Sequence, residues 1–135
     1  MLAKHGLRDF VLPDEWWFEA GMSGFRPQRS FFRAQTTRLP TIEVRISDVE
    51  PCWRELSHGI FNDDPAEGTA RQRVVRILRA FRDDVPLPPV DVVRADAASG
   101  HLFRLHHGAH RFYCAIAAGF EAVPATDVTD ELAKI

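Results

Sequence analysis

Apolar positions recur at helical spacing in residues 69–83, where Val74, Ile77, Leu78 and Phe81 fall on one side. Arg73, Arg76, Arg79 and Arg82 fan over the opposite side, and Thr69 stands where an N-cap belongs. A second helix is predicted over Ala109–Ala118, with Phe112, Ala115 and Ile116 making one apolar face. Gly119 follows it at the position that takes a left-handed backbone. A shorter helix begins at Pro13-Asp14, where Asp14 and Glu15 suit the helix dipole, and runs through Trp16, Trp17, Phe18 and Glu19.

Residues 40–50 alternate: Ile42, Val44 and Ile46 point one way, and Glu43, Arg45 and Ser47 the other. That period of two predicts one strand with a single buried face. Val90–Val93, Leu102–Leu105 and Ala122–Val128 are further extended runs. Three prolines in residues 84–90 stop the long helix, residues 96–100 make a turn, and Gly108 breaks the strand before it. Residues 51–68 carry loop signals, with one helical turn over Trp53–His58. The sum is an α+β fold, a small mixed sheet with flanking helices. Residues 1–39 form an N-terminal helical and loop extension, and residues 40–135 form the domain.

A chain of 135 residues fits one domain, burying roughly two thirds of its unfolded surface on folding. The 45% hydrophobic and 27% charged residues are globular proportions. A formal net charge of −2 gives the whole molecule no bulk attraction for nucleic acid. Fifteen of the 17 cations are arginine, which makes flat bidentate contacts to phosphate where lysine does not. Genome base composition is the simpler account of that bias. Cys52 and Cys114 make no CxxC pair, and two free thiols in a reducing cytosol is the default. With no membrane-length apolar run and no signal-peptide core in the first ten residues, a soluble, cytoplasmic protein is expected, with no membrane partner.

The candidate chemistry centres on Gly108, Ala109, His110 and Arg111. A strand, a glycine turn and a helix opening on His-Arg aim backbone N–H groups and two basic side chains at one spot, which is an anion site. His110 can donate to phosphate or act as an acid near neutral pH, and Arg111 can clamp two oxygens. Both are the candidate catalytic residues. A second basic region, residues 21–39, interleaves Phe25, Phe31 and Phe32 with Arg26, Arg29 and Arg33. It reads as a surface loop pinned by its rings or as a binder of nucleic acid. Arg73, Arg76 and Arg79 offer the same choice between a solvated face and a surface for DNA or an acidic partner. Trp16 and Trp17 are core filler or part of a docking surface for a protein partner. His101, His106, His107 and His110 have no metal-ligand spacing, because the glycine turn interrupts the pair four apart. Asp63-Asp64 and Asp83-Asp84 read as turn and helix-end residues. Glu43 is a strand-borne candidate base.

From Ile42 to Val128 the chain resembles the ParB/sulfiredoxin superfamily. The resemblance rests on Thr41–Val49, on Thr69–Phe81, on the run Leu87–Val93, and on Leu105–Ala125. The last contains Gly108-Ala109-His110-Arg111, the aromatic-alanine helix, Gly119 and Val123-Pro124. The resemblance implies a nucleotide-binding domain in which the signature turn holds phosphates: CTP in ParB proteins, ATP in sulfiredoxin, ADP or ATP in related kinases. Asp63-Asp64 or Asp83-Asp84 could hold Mg²⁺ beside that nucleotide. A stand-alone NTP hydrolase or phosphotransferase is therefore expected. The alternatives are a DNA- or RNA-binding protein of the ParB-like nuclease group and a non-enzymatic interaction module. Two departures narrow this. Ala109 occupies the position of the sulfiredoxin cysteine, which excludes sulfinic acid reduction. ParB proteins usually show Gly-Glu-Arg-Arg there, and only seven residues follow Val128, so a ParB-type DNA-binding domain is not expected.

Overall fold

The fold is seen in a computed structural model that describes residues 12–50 and 68–134. Cys52, the predicted Trp53–His58 turn and the Asp63-Asp64 pair lie outside the described residues. In chain order the elements are α1 (Asp14–Glu19), β1 (Ile42–Arg45), β2 (Val49–Glu50), α2 (Ala70–Asp83), β3 (Val90–Arg94), β4 (Phe103–His107), α3 (Ala109–Ala118), β5 (Ala122–Asp127) and α4 (Thr129–Ala133). Single 3₁₀ turns cover Ile46–Asp48 and Ala97–Ser99. The class is α+β with a five-stranded mixed sheet, as expected.

The sheet order is β1-β5-β3-β4-β2. β1 and β4 run antiparallel to their neighbours β5 and β3, while β3–β5 and β2–β4 are parallel pairs. The alternating segment 40–50 is therefore not one strand. It supplies both edges of the sheet, joined by three residues. In a flat sheet these edges would lie about 19 Å apart, at about 4.8 Å per strand. A 3₁₀ turn advances only about 2 Å per residue and cannot bridge that gap. The sheet must curl until its edges meet. Two backbone bonds hold the corner: Ile46 N–H donates to Glu121 O at 3.0 Å, and Leu102 N–H to Asp48 O at 3.0 Å. Val44 and Ile46 are buried as the alternation requires, whereas Ile42 at the open edge is 39% exposed.

α2 begins with a reciprocal capping box. Gln72 N–H donates to Thr69 Oγ1 at 3.1 Å, and Thr69 N–H donates to Gln72 Oε1 at 2.9 Å. Val74, Val75, Leu78 and Phe81 are buried, each such side chain contributing about 1.5–3 kcal/mol. α3 is buried on more than one face: Phe112, Tyr113, Cys114, Ala115, Ile116 and Ala118 are all in the core. After its His110-Arg111 opening the helix is apolar on most sides, as an enclosed helix is, and it lies against α2 and the sheet. Gly119 ends it at φ 95°, the left-handed cap.

Residues 12–39 share the same core through Leu12, Ala20, Met22 and Phe32. Phe32 stacks on Phe81 at 5.3 Å and meets Phe120 edge-on at 6.4 Å. Of the two readings of the Phe-Arg run, the pinned loop describes its rings. Ser30 O accepts from both Glu121 N–H and Ala122 N–H, and Ala34 bridges Leu87. Trp16 and Trp17 are both half-buried against the core, as neighbours about 100° apart on a helix must share the depth. Arg79 and Arg82 of α2 donate to Glu19 O at 3.2 Å and Ala20 O at 3.0 Å, where α1 leaves its carbonyls. Among the described residues no helix is long and apolar enough to cross a membrane.

Leu78→Ala lowers unfolding free energy by about 2–5 kcal/mol and Thr69→Ala by about 1 kcal/mol, measured by urea denaturation. Equal effects would contradict this division between core and cap. Burial also pushes the Cys114 thiol well above its ordinary pKa. The folded thiol stays neutral while the unfolded one ionises above about pH 8.5, so this stabilisation is present below that pH and is lost as pH rises. Wild-type stability should fall more steeply than that of Cys114→Ala from pH 8 to 10, by up to about 1.4 kcal/mol per unit. Parallel curves would contradict it.

Candidate functional site: a basic cleft at the Gly108 turn

β4 delivers the chain to Gly108, which holds φ 101° and ψ 29° at the N-cap of α3. Only glycine takes that backbone cheaply. Space forbids a side chain as well: a Cβ here would stand 2.9 Å from Val90 Cγ1 and 2.8 Å from Arg111 Nη2. The turn is thus closed against β3, and α3 starts immediately. Its first bond runs from Phe112 N–H to Gly108 O at 2.9 Å. The amides of Ala109 and Arg111 precede that bond and have no acceptor within the helix. Gly108 supplies no side-chain cap. This is the electropositive end of the helix.

The strand before the turn is irregular. Asp91 pairs with His107 and Val92 with Leu105, so His106 is an extra residue bulged out of β4. A bulge re-aims the side chains around it. His106 and His107 both line one cleft, together with His110.

That cleft has a volume of about 580 Å³ and lies between α2 and the Gly108 turn. Arg73 and Arg76 reach it from α2, and Arg111 from α3. Its apolar wall is Ile77, Leu87 and Leu105. Among the described residues no carboxylate lines it. Arg111 is half-buried and donates through Nη2 to Pro89 O at 3.2 Å, which fixes the guanidinium. Its Nε is buried without a hydrogen-bond partner among the described residues. Burial lowers the Arg111 pKa from its usual value, and the Asp91 carboxylate works in the opposite direction. Arginine titrates so high that it stays charged either way. A desolvated guanidinium gains more from an anion than a solvated one.

The six arginines singled out for nucleic acid do not form one surface. Arg73 and Arg76 join the Gly108 turn. Arg79 is engaged with α1. Arg26, Arg29 and Arg33 line a separate cavity of about 470 Å³ beside the C-terminal end of α2. There Arg29 pairs with Asp84 at 3.0 Å, and Arg33 approaches the same carboxylate at 4.0 Å. Asp83 is likewise taken by Arg82 at 2.9 Å. Glu43 accepts from Ser30 Oγ at 3.0 Å on the exposed edge strand, with no place in the cleft lining. His101 sits outside the cleft, its Nδ1 3.0 Å from Ser99 O. Among the described residues no three His, Cys, Asp or Glu side chains are grouped to hold a metal ion.

Sequence reasoning missed the neighbourhood on the other side of Arg111. A second cavity of about 400 Å³ adjoins it, lined by Asp91, Thr126 and Arg38 and walled by Leu39, Pro89 and Val128. Asp91 and Thr126 are register partners on β3 and β5, and Thr126 Oγ1 donates to Asp91 Oδ1 at 2.7 Å. The one available signal was Asp91, a polar residue between buried valines. No family model, curated protein or solved structure matches this chain.

Gly108→Ala should lower stability by about 1–3 kcal/mol through strained backbone and the clash with Val90. Gly100→Ala is the comparison: it has positive φ but open space around it, and it should cost less. Thermal denaturation of the two variants measures the difference. Equal losses would mean that close packing of the turn contributes nothing.

Proposed function

We propose that this chain is a nucleotide-binding domain of ParB/sulfiredoxin type that holds the phosphates of its ligand at Gly108, Ala109, His110 and Arg111. The observation carrying this reading is the cleft itself. Three arginines and three histidines converge on a helix N-terminus and a glycine turn, with no acid in the described lining. Phosphate needs that combination: N–H donors at short range and fixed positive charge in a partly desolvated site. Arg73 and Arg76 extend the donor set along the cleft, enough for more than one phosphate group. A lining of nitrogen donors competes with Mg²⁺ for phosphate charge, so free nucleotide should bind at least as tightly as its Mg²⁺ complex.

Binding is the activity this arrangement supports best. Hydrolysis or phosphoryl transfer would fall to His110 as proton donor and Arg111 as the charge stabilising the transferred group. A nucleic-acid reading is weaker, because Arg29 and Arg33 share the Asp84 carboxylate and Arg79 is bonded to α1.

Calorimetry with CTP, ATP and ADP, with and without Mg²⁺, tests the reading. At least one should bind in the micromolar range, and affinity should fall with added salt. Arg76 is exposed, so Arg76→Ala should weaken binding about tenfold at unchanged melting temperature. Arg111→Lys should also weaken it, since lysine has no planar fork. A folded protein that gives no heat with any of the three would end the proposal.

A further inference from the structure

The basic cleft explains how phosphates could be held and leaves the adjoining cavity without a role. The two cavities share Pro88, His107 and Arg111, so they adjoin across Arg111. Their chemistry differs by one group. The first presents cations and no acid in its described lining. The second presents the Asp91 carboxylate between apolar walls. Asp91 is half-buried, and Thr126, which donates to its Oδ1, is 4% exposed. Oδ2 takes no hydrogen bond among the described residues. Besides the shared Arg111, Arg38 lines this cavity, and its guanidinium is bonded to Glu131 at 3.1 Å.

A carboxylate repels phosphate and accepts from N–H and O–H donors. A ligand reaching from one cavity into the other is therefore best matched by an anionic end, a donor end and an apolar body between. The volume of about 400 Å³ is within the usual range for small-molecule sites. We propose that the second cavity takes the nucleoside part of the nucleotide, with Asp91, held by Thr126, accepting a hydrogen bond from an amino group of the base or a hydroxyl of the ribose. This rests on the phosphate reading of the cleft. Asp91 then sets specificity, and Arg111 joins the two halves of the site.

Calorimetry of the full chain with tripolyphosphate, CTP, UTP and 2′-deoxy-CTP tests it. CTP should bind at least tenfold tighter than tripolyphosphate. Asp91→Asn should move the two ligands in opposite directions. CTP weakens because its acceptor is impaired, while tripolyphosphate binds equally or more tightly because a negative charge beside Arg111 is gone. Leu39→Trp fills the cavity from its wall and should cost CTP its advantage while changing tripolyphosphate less than about twofold. A preference for CTP over UTP that Asp91→Asn removes assigns the donor to the base, and one over 2′-deoxy-CTP assigns it to the ribose. The proposal is overturned if CTP binds no tighter than tripolyphosphate, or if both variants lower the two ligands alike. If neither ligand binds wild-type protein, the phosphate reading fails first and this one with it.

Discussion

The burial of α3 is the constraint on which the rest depends. Six of its ten residues are in the core. A helix enclosed on most sides can neither rotate nor slide without opening cavities, each costing kilocalories. Its N-terminus is therefore fixed in space, as an anion site requires. Gly108 completes the arrangement by turning the strand directly into the helix over Val90, where any Cβ would collide. α2 packs alongside and brings Arg73 and Arg76 to the same rim. The energy that fixes the proposed site is apolar packing, and the polar groups inherit their positions from it.

The curled sheet is the second constraint. The three-residue corner Ile46–Asp48 ties the two edge strands together. β3 and β4 remain central, and both of the cavities that flank Arg111 sit at the end where β3 begins and β4 ends. The bulge at His106 lies at that same end. The irregularity thus falls where side chains are re-aimed, while the ladder elsewhere stays regular. Around this frame, residues 12–39 act as a strap, with Phe25 and Phe32 inserted among Phe81 and Phe120. Of the arginines in the strap, Arg29 and Arg33 meet Asp84 away from the cleft, whereas Arg38 pairs with Glu131 and lines the cavity that holds Asp91.

Local signals in the chain were strong where local physics governs. Thr69 marks a helix start through the bond its hydroxyl accepts, Gly108 and Gly119 mark helix ends through a positive φ that favours glycine, and Pro13-Asp14 marks α1 without a side-chain cap. The alternating run 40–50 misled because burial and backbone path separated. Ile46 stays buried, yet its peptide leaves β1 and enters a turn, so the period of two outlasts the strand. The union of Arg73 and Arg76 with His110 and Arg111 was invisible because it depends on how α2 lies beside α3. The bulge and the Asp91–Thr126 pair were invisible for a related reason. Each is a matter of register between strands far apart in sequence. Arg79 and Arg82 looked like the rest of a solvated face until α1 supplied the carbonyls they bind.

The most direct test of the account is where a triphosphate nucleotide lands. Backbone amide shifts of the full chain, followed by nuclear magnetic resonance during titration with CTP or ATP, report this residue by residue. The account predicts the largest movements at Gly108, Ala109 and Arg111, with smaller ones around Arg73 and Arg76. Movements centred on the cavity of Arg26, Arg29 and Arg33, with residues 108–111 undisturbed, would contradict it.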